Sequence, residues 1–133
     1  MIEKSAAVII RDRAVLYVRE VGFPYLILPG GCLKVGETAE TALARELREE
    51  LRTSSRITCS LGTVCGKGLS HDVPPSEQEV ILHLFLVDPL EQLQPANEIV
   101  EMRYVTYCTI REYPMTPIGI DTINKLHFDG LID

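Results

Sequence analysis

Apolar residues occur along this chain in short blocks parted by polar breaks, and the blocks carry two different periods. Ser5 to Ile10 and Ala14 to Val18 are rich in Ala, Val and Ile and are separated by Arg11-Asp12-Arg13, so they read as two β-strands joined in a hairpin. After a break at Gly22-Phe23-Pro24, Tyr25 to Leu28 reads as a third, short strand. The period then changes. Leu43, Leu47 and Leu51, with Ala44 beside them, recur at helical spacing and form one apolar arc. Thr38 suits the N-cap of that helix, and Glu40 falls in its first turn, where the macrodipole favours an anion. Arg56 to Val64 alternates weakly and reads as a strand, whereas Gly66 to Glu77 is polar, holds glycines and prolines, and lacks a period. That stretch is expected to be a loop long enough to cover or complete a site. Val80 to Val87, VILHLFLV, reads as a buried central strand with His83 packed inside it, ended by Asp88-Pro89. Glu91 to Glu101 is polar, with a turn or helix start at Pro95-Ala96-Asn97-Glu98; Arg103 to Cys108 resumes as a strand. From Pro117 to Phe128 the residues Ile118, Ile120, Ile123, Leu126 and Phe128 alternate with polar ones in the manner of an amphipathic helix. This order predicts an α/β (α+β) fold, a mixed sheet sandwiched between helices.

Composition narrows the setting. A chain of 133 residues with 46% hydrophobic content suits one domain, residues 1–133, with one core. No segment approaches the roughly 18 apolar residues of a membrane span, and the first residues, MIEKSAAVII, carry an acid and lack the architecture of a signal peptide. Cys32, Cys59, Cys65 and Cys108 are scattered, without Cys-x-x-Cys or zinc spacing, and read as reduced thiols. A cytoplasmic protein with no membrane association is expected. The net charge of −6 opposes general affinity for nucleic acid, which needs a basic face. A small polyphosphate remains compatible with that charge if metal ions offset both partners. A homodimer is the default for a small enzyme, although no segment here demonstrates one.

The chemistry concentrates between Leu28 and Thr53. Glu46, Glu49 and Glu50, spaced i, i+3 and i+4, are neighbours on one helix face, where each like-charge pair costs roughly 0.2–0.5 kcal/mol unless it is neutralised. Arg45 can pair with Glu49 at i+4, and the helix taken alone then reads as an ordinary solvated one. The preceding Pro29-Gly30-Gly31 alters the balance. It reads as a backbone turn able to bring bare carbonyls and amides close to a ligand, and carbonyl plus carboxylate oxygens are what Mg²⁺ or Mn²⁺ prefers.

These residues resemble the signature of the Nudix hydrolases: Gly, five residues, Glu, seven residues, Arg-Glu-aliphatic-any-Glu-Glu, one residue, then Gly-aliphatic. Gly31, Glu37, Arg45, Glu46, Leu47, Glu49 and Glu50 stand at the matching positions. Arg52 stands where Gly is usual and Thr53 where an aliphatic is usual. A Gly there would take the left-handed conformation, so Arg52 is expected to prolong the helix or accept strain. The resemblance implies Mg²⁺-dependent hydrolysis of a phosphoanhydride in a nucleoside diphosphate linked to another group, most simply a nucleoside triphosphate. Nucleotide sugars, ADP-ribose, dinucleoside polyphosphates and a non-catalytic nucleotide-binding module are the alternatives. It also implies that Glu46, Glu49 and Glu50 bind metal with the Gly30 carbonyl, while Glu37 and Arg45 form a structural salt bridge. A later acid supplies a further ligand or general base in several members; Glu98 is the first candidate here, with Glu101, Glu91 and Glu77 behind it. Arg19, Lys67 and His71 are able to reach a phosphate or base, although each also fits a side chain that simply faces water.

Overall fold

A computed structural model describes residues 1–133. Strands β1 (Ile2–Val8), β2 (Ile10–Arg11), β3 (Ala14–Glu20) and β4 (Gly30–Cys32) precede helix α1 (Ala39–Leu51). Strands β5 (Ser55–Leu69), β6 (Glu77–Pro89) and β7 (Ile99–Val105) follow, then a 3₁₀ turn at Thr109–Glu112 and helix α2 (Pro117–Phe128). The strands form two sheets, one ordered β4-β1-β6-β5 and the other β2-β3-β7. At the centre of the first, β1 and β6 run parallel in the register Ile2↔Val80 to Val8↔Leu86. The fold is a mixed α+β arrangement with one helix on each side of the sheets.

Why Ala6 to Ile9 and Ala14 to Val18 are apolar without a break is visible in their packing. Ala6, Val8, Val15 and Tyr17 enter a cluster that also holds Ile123 and Leu126 of α2, whereas Ala7, Ile9, Leu16 and Val18 pack on Leu43, Leu47 and Leu51 of α1. Both faces of these strands are therefore covered, and alternation disappears from the sequence. Both helices are capped as their first residues suggest. Thr38 Oγ1 accepts from Thr41 N at 3.1 Å while Thr41 Oγ1 accepts from Thr38 N at 2.9 Å, and Thr116 Oγ1 accepts from Gly119 N at 3.1 Å.

The structure differs from the sequence reading in four places. The first two apolar runs are not partners: β1 belongs to one sheet, the chain crosses at Ile9, and the hairpin is the short pairing of β2 with β3 across Asp12 and Arg13, both at positive φ. Tyr25 to Leu28 makes only the isolated bridges Val18↔Ile27 and Leu26↔Met115, while Gly30-Gly31, expected to turn with Pro29, begins the strand Gly30–Cys32, paired with Ala6, Ser5 and Lys4. The long loop is shorter than expected, because β5 continues to Leu69. Gly66 and Gly68 are strand glycines suited to close approach: a Cβ on Gly66 would meet Asp121 Oδ2 of α2 at 3.0 Å, and one on Gly68 would meet Val80 Cγ2 at 3.0 Å. Finally, β7 stops at Val105, where Thr106 and Thr109 exchange backbone and hydroxyl hydrogen bonds and start the 3₁₀ turn. No helix is long and apolar enough to cross a membrane.

Candidate active site

Helix α1 supplies carboxylates to one end of a cavity of about 350 Å³. Its three glutamates part company there. Glu50, next to the buried Leu51, is only 2% exposed, and its Oε1 accepts from Gly30 N at 2.8 Å. Glu46, one turn earlier, lines the same cavity. Glu49 faces outward with its side chain 49% exposed, 3.5 Å from Arg45 Nη1, and does not line the cavity.

Two further carboxylates arrive from distant segments. The chain before β7 is fastened to the C-terminal carbonyls of α1: Gln94 N donates to Leu51 O, Ala96 N to Glu50 O, and Asn97 Nδ2 to Glu49 O. These bonds satisfy acceptors that a helix end would otherwise leave unpaired. They also deliver the next residue, Glu98, to the cavity. From the other side, Val21 N donates to Glu98 O at 2.7 Å, and a bulge between Arg19 and Glu20 re-aims the end of β3. Glu20, Glu50 and Glu98 consequently place carboxylate oxygens within 4.8 Å of one another. Sequence reasoning missed Glu20. Only its position at a strand end hinted at it, because the convergence depends on the pairing of β3 with β7.

Charge in this cluster is poorly compensated. Burial pushes the Glu50 carboxyl up to about 9, against the lowering effect of the Gly30 hydrogen bond, and Glu46, Glu20 and Glu98 add repulsion. Burial also raises Glu46, partly offset by its hydrogen bond from Arg45. The Glu20, Glu50 and Glu98 oxygens have no Lys or Arg paired with them, and such a set fits a hard divalent cation.

Arg45 and Glu37 hold the adjoining loop. Arg45 Nε and Nη2 donate to the two Glu37 oxygens at 2.8 and 2.9 Å, Nη1 donates to Glu46 Oε1 at 2.9 Å, and Nη2 reaches Cys32 O at 3.3 Å. Glu37 also accepts from Lys34 N, and the Arg45 hydrogen bonds hold its carboxyl down to about 2. This bidentate arrangement ties the loop after β4 to α1. Replacing Arg45 by Met is expected to destabilise the fold by about 2 kcal/mol, since Glu37 and Glu46 lose their shared partner. Urea unfolding checks this, and a loss below a few tenths would mean that solvent replaces the guanidinium fully.

Helix α1 ends at Leu51, and Arg52 accepts the left-handed conformation at φ 53°, ψ 37° rather than prolonging the helix. Thr53 is buried, and Glu91 Oε2 accepts from Ser54 N at 2.7 Å, so Glu91 serves the helix exit and not the cavity. Relieving the strain through Arg52→Gly is expected to stabilise the protein by about 1 kcal/mol, seen as a rise in Tm of roughly 3 °C. A lower Tm would show that the arginine side chain contributes more than the strain removes.

Of the cationic candidates, Arg19 is held by Glu101 Oε1 at 2.8 Å, and Glu101 also binds Arg103; neither lines the cavity. Lys67 is paired with Glu79 on the neighbouring strand, beside Glu77 at the start of β6. His71 does line the cavity, stacked on Phe23 at 4.3 Å with Nε2 3.4 Å from Glu20 Oε1. His83, on β6, is paired with Glu3 at 2.7 Å.

A family model described as "NUDIX domain" matches residues 1–126. Among solved structures, the solution structure of the E. coli ORF135 protein is 26% identical, with a TM-score of 0.75 over 96% of this chain and 89% of that one. The MutT protein from Methanosarcina mazei Go1 is 20% identical over 97% and 94% of the two chains, with a TM-score of 0.77. An ADP-ribose pyrophosphatase from Streptococcus suis 89-1591 is 19% identical over 95% and 87%, with a TM-score of 0.67. No curated protein matches the chain.

Proposed function

Because this chain belongs to the Nudix family, we propose that it is a Mg²⁺-dependent pyrophosphohydrolase that cleaves a phosphoanhydride bond in a nucleoside triphosphate, with residues 1–133 working as one catalytic domain. The observation that carries this reading is the meeting of Glu20, Glu50 and Glu98 in a cavity whose lining also holds Leu28, Leu82 and Ile118. A polyphosphate suits the carboxylates once cations neutralise it, and a nucleoside suits the apolar lining.

Glu46, Glu50 and Glu98, with Glu20, would hold Mg²⁺ or Mn²⁺, and the Gly30 carbonyl is a further ligand in this reading. Bound there, the metal supplies charge neutralisation of the phosphates and acidification of a water. The chain's own groups do the rest. Gly30 N–H orients the Glu50 carboxylate, and Arg45 with Glu37 keeps the glycine strand and α1 in register. Glu98, exposed at the cluster, would accept the proton of the attacking water, whereas Glu49 faces outward and stands outside the cavity. The four free, exposed cysteines suit a reducing compartment, which supports a cytoplasmic enzyme.

Nucleotide products should be resolved by chromatography, with pyrophosphate release measured alongside, over a panel of nucleoside triphosphates, a nucleotide sugar, ADP-ribose and a dinucleoside polyphosphate, with and without Mg²⁺. The expected result is Mg²⁺-dependent pyrophosphate release from one or more triphosphates. Turnover of ADP-ribose or a nucleotide sugar alone would replace the substrate class. Saturable nucleotide binding without turnover would favour a non-catalytic module.

A further inference from the structure

We propose that Lys4 reads the nucleobase, donating from its ammonium to an exocyclic carbonyl oxygen, so that the enzyme favours carbonyl-bearing bases over adenine. This rests on the hydrolase reading above and concerns another part of the lining of the same cavity. Lys4 is half-buried and is the only Lys or Arg lining that cavity. Its ammonium enters none of the ion pairs or side-chain hydrogen bonds of the fold, unlike Lys67 and Lys125, which are both paired with acids.

Strand register says which way the side chain points. Lys4 lies opposite Cys32 in β4 and Leu82 in β6, and cross-strand partners share a face of a sheet. Leu82 packs against the cluster on the α2 side, whereas Glu46 and Glu50 belong to α1 on the other side. The ammonium is thus carried on the face away from the carboxylate helix, in the apolar part of the cavity. A lysine meant for phosphates would be expected beside the carboxylates. The nearby Thr122 hydroxyl is already donating to Ile118 O at 2.8 Å, which leaves Lys4 as the unpaired cationic donor of the lining. An ammonium offers three donors and no acceptor, so it selects an acceptor edge. Guanine, cytosine and uracil carry a carbonyl oxygen; adenine carries none.

The test is kcat/KM for wild type, Lys4→Met and Lys4→Arg with Mg²⁺ on GTP, CTP, UTP, ATP and 5-phosphoribosyl 1-pyrophosphate, which has no base. Methionine keeps the length of the stem and removes the charge. Wild type is expected to prefer at least one carbonyl-bearing triphosphate to ATP. Lys4→Met is expected to lose roughly ten- to a hundredfold on that substrate, mainly through KM, the worth of one charge-assisted hydrogen bond. Its losses on ATP and on the base-free substrate should stay within about twofold by the same bookkeeping, and Lys4→Arg should recover part of the preference. A wild-type preference for ATP, an equal loss on every substrate, or no loss at all would each overturn the assignment while leaving the hydrolase reading intact. A wild-type enzyme that turns over none of these compounds would overturn both.

Discussion

Glu50→Gln is expected to lower Mg²⁺-dependent turnover by at least about a hundredfold while making the metal-free protein more stable at alkaline pH. Both effects come from one buried carboxyl. Gln keeps the shape and can still accept from Gly30 N, but it offers no charge to a cation. Burial raises the folded-state carboxyl to about 9. In the unfolded chain the same group titrates at about 4.3. Between these values the folded state holds a proton that the unfolded state has lost, so the stabilisation is complete below about pH 4.3 and is lost as pH rises towards 9. Metal-free wild type should therefore lose at most about 6 kcal/mol across that window relative to Glu50→Gln, whose curve should be flatter. Adding Mg²⁺ at pH 8 should restore wild type and leave the variant unmoved, since a ligand stabilises only the state that binds it. Thermal unfolding in EDTA and in Mg²⁺ reads all three. Turnover by Glu50→Gln within threefold of wild type would remove Glu50 from the site.

Gly30→Ala should be the most damaging single methyl in the chain. Its Cβ would lie 2.0 Å from the Ser5 carbonyl oxygen and 2.9 Å from Ala6 Cα, at a φ of 144° that side chains avoid. Both obstacles are backbone, so β4 must leave β1, and the expected destabilisation is roughly 4 kcal/mol. Gly31→Ala provides the contrast. Its Cβ would meet Glu46 Oε1 at 2.5 Å, the far end of a flexible side chain that can move. The fold should survive there within about 1 kcal/mol, while displacement of Glu46 lowers turnover by about tenfold to a hundredfold. Urea midpoints and kcat for the two variants separate them. Equal stability losses would mean that Gly31 is also clamped by backbone.

Much of the fold is legible in the order of residues alone. The cap at Thr38, the leucine arc of α1 and the apolar face of α2 are local periodicities, and local periodicity survives folding unchanged. The gapped pattern from Gly31 to Glu50 likewise needs only spacing. What misleads is punctuation: Gly30-Gly31 and Gly66 with Gly68 look like turn and loop, yet all four are strand positions, where a Cβ would strike the backbone of β1 at Gly30 and press on a neighbouring side chain at the other three. Sequence records that a glycine is present and not whether conformation or space demands it.

The amino-acid sequence by itself determined the helices, the apolar strands and the face on which three glutamates stand, because each depends on residues a few positions apart. Only the tertiary structure decided where each of those glutamates stands. Packing of α1 on β1 and β3 buries Glu50, and Glu49 is left turned to water. The fastening of Gln94 to Asn97 onto the last carbonyls of α1, together with the bulge at Glu20, carries two acids from 30 and 48 residues away to within 4.8 Å. That convergence is set by hydrogen bonds between segments distant in the chain, and no periodicity within either segment encodes it.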